Sequence, residues 1–227
     1  MLASAIIPAA GSGKRFGEKK QFKEINGKPL IYYTLAPFFE STVIDDIVVP
    51  VQKNDMDEVA SIIDSITMKK KVKVIEGGKT RQDSIHNALG QINNRTRFVC
   101  VHDAARPFIT KDLIEKVIRS LKDCDAAIVG SQSTDTLKKV SNGEISSTID
   151  RDKIWCVQTP QAFLKEAIIN AYDLAKKQSF QGTDDSSLLE RAGYRVKIIN
   201  DSSTNFKITT NEDWIIAESL LSANSNV

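Results

Sequence analysis

Five short runs rich in Val and Ile recur through the first 131 residues, and stretches with helical spacing separate them. The runs are LASAII (2–7), DIVVPV (46–51), VKVIEG (72–77), RFVCVHD (97–103) and AAIVGS (126–131), and they show little polar alternation. A strand covered on one face alternates, whereas a strand covered on both reads as a continuous apolar run. The spacers supply the covers. Residues 29–40 open on Pro29, a residue favoured at the first helical position. Residues 54–66 place Asp55, Asp57 and Glu58 in a first turn capped by Asn54, where the helix dipole favours acids. Residues 80–91 follow Thr80. Residues 110–122 follow Thr110 and set Leu113, Ile114, Val117, Ile118 and Leu121 on one stripe. This β-α-β-α rhythm predicts an α/β fold, a Rossmann-like, mostly parallel sheet flanked by helices on both faces.

The rhythm breaks after Ser131. The stretch TDTLKKVSNGEISSTIDRDKIW (134–155) has no helical face, and Asn142-Gly143 is a strong hairpin signal. It predicts a polar two-stranded arm over 133–155, with Thr136 and Leu137 on one limb and Ile145 to Ile149 on the other. A lone hairpin has too little apolar surface to stand by itself, so the arm must pack on the body or on a second subunit. Helices are expected over 164–176 and over 184–192, the latter capped by Thr183 and stopped at Gly193. A strand near Tyr194 to Ile199 and a last helix from about Thr210 complete the pattern. At 227 residues the expectation is one domain, 1–227, that includes the arm.

Composition narrows the function classes. A formal charge of +2 is too small for general nucleic-acid binding, so any anion attraction must come from local clustering of bases. Three cysteines without a C-x-x-C pair suggest neither a disulfide framework nor a zinc site and fit a reducing, cytoplasmic setting. No apolar run approaches membrane-spanning length, and a strand begins too soon after Met1 for a signal peptide.

The first strand runs into PAAGSGKRFGEKKQ (8–21). A strand end exposes backbone N–H groups, and Gly11 and Gly13 allow a tight turn and close approach of phosphate. Arg15 adds a bidentate phosphate donor and Lys20 a point charge. Two familiar phosphate loops do not fit. GSGKRFG is one residue too long before its third glycine for a dinucleotide fingerprint, and Gln52 and Lys53 stand where that motif wants an acid. GGKT (77–80) resembles the tail of a P-loop, but Lys73 occupies the position of its first glycine. Taken alone, the loop reads more readily as a glycine turn with solvated lysines than as a site.

Its companions change that reading. VHDAARP (101–107), TDTLKK (134–139), DRDKIWCVQTPQAF (150–163), TDDSSLLE (183–190) and NFKITTNEDW (205–214) follow in order. With AAGSGKRFG, this ordered set resembles the 2-C-methyl-D-erythritol 4-phosphate cytidylyltransferases, nucleotidyltransferases of the non-mevalonate isoprenoid route. The resemblance spans nearly the whole chain. It implies transfer of a cytidylyl group from CTP to the polyol phosphate with release of pyrophosphate, and Mg²⁺ held mainly through the CTP phosphates. It also implies a homodimer whose arms complete the active sites. A close relative, the ribitol-5-phosphate cytidylyltransferases of teichoic acid synthesis, tends towards AGG-K-G-T-R and HDAVRP, whereas this chain has AAGSGKR and HDAARP. A catalytically silent nucleotide-binding protein on the same fold is the alternative from another class.

The resemblance assigns roles position by position. Arg15 and Lys20 are the catalytic residues, cations that stabilise the transition state, with K-Q-F favouring Lys20 over its neighbour Lys19. Pro8, Ala9, Ala10, Gly11, Gly13, Gly78, Ser84 and Asp103 bind CTP, Gly78 and Ser84 at the cytosine and Asp103 nearest the metal. Asp135, Thr136, Arg151, Thr159 and Lys207 hold the methylerythritol phosphate. Asp103 can also pair with Arg106 as a structural salt bridge, which does not exclude the site role, and His102 reads as a structural histidine. Thr183 and Asp184 read as a site pair or as a helix cap with an acid in its first turn. The nucleophile is already an anion, so positioning and cationic stabilisation suffice without a general base.

Overall fold

The computed structural model describes residues 2–11, 13, 16–68 and 70–224. In chain order, β1 (Ala3–Ile6) leads into the glycine loop and a 3-10 turn at Lys20–Phe22. A small hairpin, β2 (Glu24–Ile25) and β3 (Lys28–Pro29), precedes α1 (Leu30–Glu40). Then come β4 (Ile44–Val51), α2 (Met56–Asp64), β5 (Lys71–Glu76), α3 (Arg81–Leu89), β6 (Phe98–Val101), α4 (Lys111–Arg119) and β7 (Ala126–Gln132). The arm is β8 (Leu137–Ser141) and β9 (Glu144–Ile149). The chain ends with β10 (Trp155–Leu164), α5 (Lys165–Lys177), α6 (Asp185–Arg191), β11 (Val196–Asn200) and α7 (Asn211–Asn224).

Seven strands form the main sheet in the order β11-β7-β10-β6-β1-β4-β5. All run parallel except β10, which pairs antiparallel with both β6 and β7. The five apolar runs are thus strands of one mostly parallel sheet, as expected. Alternate residues of β1 serve opposite faces: Ala3 and Ala5 pack under α1, α2 and α4, while Ile6 packs under α3, α5 and α6. The stripe Leu113, Ile114, Val117 and Ile118 is buried in the first of these cores.

Several boundaries differ from expectation. Pro29 is the N-cap of α1 with extended backbone, not its first helical residue. Asn54 lies in a 3-10 turn, and Asp55 stands at the cap position of α2. Asp184, not Thr183, caps α6 by accepting the Ser187 N–H. Thr80 and Thr110 cap α3 and α4 as expected, and Thr80 forms a reciprocal capping box with Asp83. The arm closes through Asn142 and Gly143, both at positive φ, the geometry that such a two-residue turn demands.

A third, smaller core lies beside the sheet. Phe16, Ile25, Leu30, Ile208, Trp214, Ala217 and Leu221 pack together, joining the glycine loop, the β2–β3 hairpin and α7. Phe16 meets Trp214 at 5.7 Å between ring centroids, and Lys23 lies over both rings.

Candidate active site

In a parallel sheet all carboxyl ends fall on one edge, where loops gather around ligands. Here β1, β4, β5 and β6 deliver Pro8–Gly11, Gln52, Gly78–Arg81 and Asp103–Ala105 to a cavity of about 560 Å³. Gly13, Lys20, Gln21, Ser84 and Lys207 complete its wall. Four bases, Lys20, Lys79, Arg81 and Lys207, face it against one carboxylate, Asp103. That imbalance suits an anion.

The glycine loop is shaped by its own chemistry. Gly13 has φ +69°, and a Cβ there would lie 1.7 Å from the Glu18 carbonyl oxygen, so no other residue fits. The Gln21 side-chain amide donates to the carbonyls of Ala9 and Gly11, both at 3.1 Å, and the Gln52 amide donates to Ala10 at 3.1 Å. The two adjacent lysines part company. Lys19 is drawn to Asp55 at 2.6 Å, whereas Lys20 lines the cavity. Arg15 lies outside the described residues.

Opposite the loop, Gly78 and Ser84 are locked together. The Gly78 N–H donates to Ser84 Oγ at 2.9 Å, and that hydroxyl donates to the Thr80 carbonyl at 2.8 Å. A Cβ on Gly78 would lie 2.2 Å from the Asp83 Cβ. Ser84 thereby fixes the turn that forms this wall.

Asp103 sits at the centre of the charges. Its Oδ2 accepts from Lys207 at 2.7 Å and its Oδ1 from Arg81 at 3.0 Å, while Arg106 approaches only to 3.9 Å. Burial pushes the Asp103 carboxyl up, but Arg81, Lys207 and Arg106 outweigh burial and hold it well below the usual carboxylate range. The expected pairing with Arg106 is thus the weakest of three. Arg106 instead anchors the loop by donating to the Asn205 carbonyl at 2.8 Å.

His102 is fully buried, and both ring nitrogens have partners. Nε2 faces the Arg106 carbonyl at 3.0 Å, which only accepts, so Nε2 carries the proton. Nδ1 then accepts from the Thr159 hydroxyl at 3.1 Å, whose oxygen in turn accepts the Asp103 N–H at 3.0 Å. Burial lowers the His102 pKa to about 4, against partial opposition from the Arg106 carbonyl and Asp103. It is a neutral structural histidine, in line with its sequence reading. Thr159 was expected to hold the polyol phosphate. The structure places it behind the wall, 4% exposed, with its hydroxyl committed to His102 and Asp103.

Asp135, Thr136 and Arg151 do not line this cavity; they are exposed, at or beside the arm. Arg151 donates to the Thr134 carbonyl. Arg81 was not singled out from the sequence. A base at the first residue of a helix opposes the dipole, and that mismatch was the available signal that acids lie nearby. They are Asp103 and Asp185.

Among the described residues no three His, Cys, Asp or Glu side chains converge as a metal cage. One carboxylate at a basic cavity would fit Mg²⁺ brought in on a phosphate ligand, since that ion takes oxygen ligands and keeps phosphate and water in most positions.

An α/β sheet with a basic cavity at the carboxyl ends of its strands is the arrangement of a nucleotidyltransferase-type protein. A profile of the family described as IspD, 2-C-methyl-D-erythritol 4-phosphate cytidylyltransferase, matches residues 3–223, and the chain belongs to that family. Proteins named 2-C-methyl-D-erythritol 4-phosphate cytidylyltransferase from Lysinibacillus sphaericus and Clostridioides difficile are 40% and 41% identical over 223 and 220 residues. The alignments cover 97% and 96% of this chain and 96% and 93% of theirs. The crystal structure of 4-diphosphocytidyl-2C-methyl-D-erythritol synthase from Anaerococcus prevotii superposes with a TM-score of 0.87 at 32% identity, covering 97% of this chain and 98% of that one. The cytidylyltransferase of the same family from Thermus thermophilus superposes with a TM-score of 0.80 at 29% identity, covering 97% and 98%.

Proposed function

We propose that the cavity at the carboxyl ends of β1, β4, β5 and β6 is the site of the family's reaction. The chain is a cytidylyltransferase that forms 4-diphosphocytidyl-2-C-methyl-D-erythritol and pyrophosphate from CTP and 2-C-methyl-D-erythritol 4-phosphate. The backbone of Pro8–Gly11 and Gly13 wraps the triphosphate. The turn at Gly78 and Ser84 meets the cytosine edge. Lys20 and Arg15 from the loop, and Lys207 from across the cavity, neutralise the oxygens that crowd around the α-phosphorus as the acceptor phosphate attacks in line. Mg²⁺, when bound through the triphosphate with Asp103 as its nearest carboxylate, supplies further charge neutralisation. Asp135, Thr136 and Arg151 bind the acceptor from the arm of a second subunit. Free thiols at Cys100, Cys124 and Cys156 fit a cytoplasmic enzyme. No helix among the described residues is long and apolar enough to cross a membrane.

The observation that carries this reading is the charge of the cavity, four bases against one carboxylate. A polyphosphate in that field needs no base to activate a nucleophile that is already ionised. The test is pyrophosphate release from Mg-CTP with each of two acceptors. Methylerythritol phosphate should turn over faster than ribitol 5-phosphate. Faster turnover of ribitol 5-phosphate would replace the acceptor, and no release with either would leave a silent nucleotide binder.

A further inference from the structure

A line of five side chains leads inward from the cavity wall. Lys207 Nζ donates to Asp103 Oδ2 at 2.7 Å, and Arg81 Nε donates to Asp103 Oδ1 at 3.0 Å. The two ends of the Arg81 fork point the other way, to Asp185, at 3.1 and 2.7 Å. Behind Asp185, the Tyr172 hydroxyl donates to the same carboxylate at 2.5 Å. Asp185 and Tyr172 are 1% and 2% exposed, and neither lines the cavity. Arg81 does line it, with a third of its side chain exposed.

Arg81 is the one member of the chain with a choice. A guanidinium carries five donors in a rigid fork and prefers a bidentate anion. Three anions compete for it: Asp103, Asp185 and, in the cavity, the triphosphate. Asp185 takes the fork because it is buried and braced, so its geometry is already fixed. Of the donors left, Nε is the one that bonds Asp103, and Asp103 keeps Oδ2 for Lys207. If Asp185 were silent, the fork would turn outward to phosphate or close onto both Asp103 oxygens. The first move would put a second cation on the nucleotide and take Arg81 from Asp103, loosening the carboxylate that holds Lys207; the second would displace the Lys207 ammonium from Oδ2.

Resting on the reading of the cavity as the CTP site, we infer that Asp185, braced by Tyr172, is a positioning residue. It holds the Arg81 fork away from the nucleotide, so that Asp103 aims Lys207 at the reacting phosphate. Asp185 touches neither substrate and acts through Arg81. The arrangement sacrifices ground-state grip on CTP for placement of a transition-state cation.

The test is Asp185→Asn in the full chain, a change of nearly equal shape that removes the charge holding the fork. Two measurements are needed: CTP affinity by calorimetry without acceptor, and kcat and KM by pyrophosphate release. We expect kcat to fall about 10- to 100-fold, the scale of a misplaced catalytic group. CTP affinity should rise by about 3- to 10-fold, as a released guanidinium gains a charge-assisted phosphate contact. A purely structural Asp185 would weaken CTP binding together with kcat, and that result overturns the inference. Unchanged kcat overturns it too. Tyr172→Phe, which removes only the brace, should shift both parameters the same way by less. It carries the test if Asp185→Asn fails to fold. Asp185→Asn should cost nothing further in an Arg81→Ala background, because its action passes through that residue. A wild-type chain that fails to bind CTP would instead overturn the reading of the cavity.

Discussion

Single residues in this site divide by where their charge is spent. Lys19 and Lys20 are neighbours, yet Lys19 is bound to a carboxylate that is 4% exposed, and Asp55 Oδ2 has no partner among the described residues. Lys19→Ala would leave that carboxylate uncompensated. The cost should fall between the exposed and fully buried limits, about 1–3 kcal/mol, read as a lower Tm with kcat/KM within a few-fold of wild type. Lys20→Ala should instead lower kcat/KM by about 10²- to 10³-fold, the scale of losing one preorganised charge donor, with little change in Tm. Thermal unfolding and pyrophosphate release on both variants decide it, and the opposite pattern would make Lys19 the phosphate base. His102 makes a different prediction. Its pKa is depressed from the usual 6.5 to about 4, so the unfolded chain binds a proton there that the folded chain refuses. The stability it contributes is therefore complete above about pH 6.5 and is lost as the pH falls towards about 4, a total of about 3 kcal/mol. Tm measured from pH 8 to pH 4 should fall through that window. In His102→Gln, the same slope should flatten, whatever the Tm at neutral pH. An unaltered slope would assign the acid sensitivity to other groups.

At the scale of elements, what was legible depended on whether a segment's local pattern and its tertiary role agreed. Five of the six parallel strands were legible as Val- and Ile-rich runs: β1, β4, β6 and β7 are largely buried on both faces, whereas β5, at the sheet edge, is only half-buried and keeps exposed polar positions. The arm was legible because Asn142-Gly143 is a local turn signal that needs no tertiary information. The strand β10 was not. Gln158, Thr159, Pro160 and Gln161 interrupt its apolar pattern, yet all four are buried, the two glutamines and the threonine through hydrogen bonds. Gln161 donates to Asp184 at 2.7 Å and accepts the Ser186 N–H at 3.1 Å, tying the sheet to the start of α6. Thr159 serves His102 and Asp103. A strand chosen for such bonds loses the pattern by which strands are read. The site divides in the same way. Residues carried by glycine turns and strand ends, such as Gly13, Gly78 and Asp103, stood out. Arg81 did not, because its two acids come from positions 103 and 185. The third core was equally hidden, since it joins Phe16 near the start of the chain to Trp214 near its end.

For the whole molecule, the cavity and the arm are separate structures in a single chain. The β8–β9 pair forms its own two-stranded sheet, with every residue of β9 exposed, including Ile145 at 66%, opposite Val140 at 56%. An isolated hairpin is marginal in water, and such apolar positions call for a cover. Asp135, Thr136 and Arg151, the residues expected to meet the acceptor, lie at or beside this arm and not around their own chain's cavity. Both facts are accommodated by the proposed two-fold dimer, in which each arm reaches the other cavity. This yields a quantitative test. Lys20→Ala disables the nucleotide half of a site and Arg151→Ala its acceptor half, so each homodimer should be nearly inactive. After subunit exchange between equal amounts, half the dimers are mixed. If the two residues of one site come from different chains, each mixed dimer has one site with both defects and one with neither. Activity should then recover to about a quarter of the wild-type level, as the symmetry of an isologous pair requires. If each site is built from one chain, every site in the mixed dimer carries a defect and no activity returns. Sedimentation of the unmixed proteins would confirm that they are dimers, and a monomer at assay concentration would rule out the crossing arm.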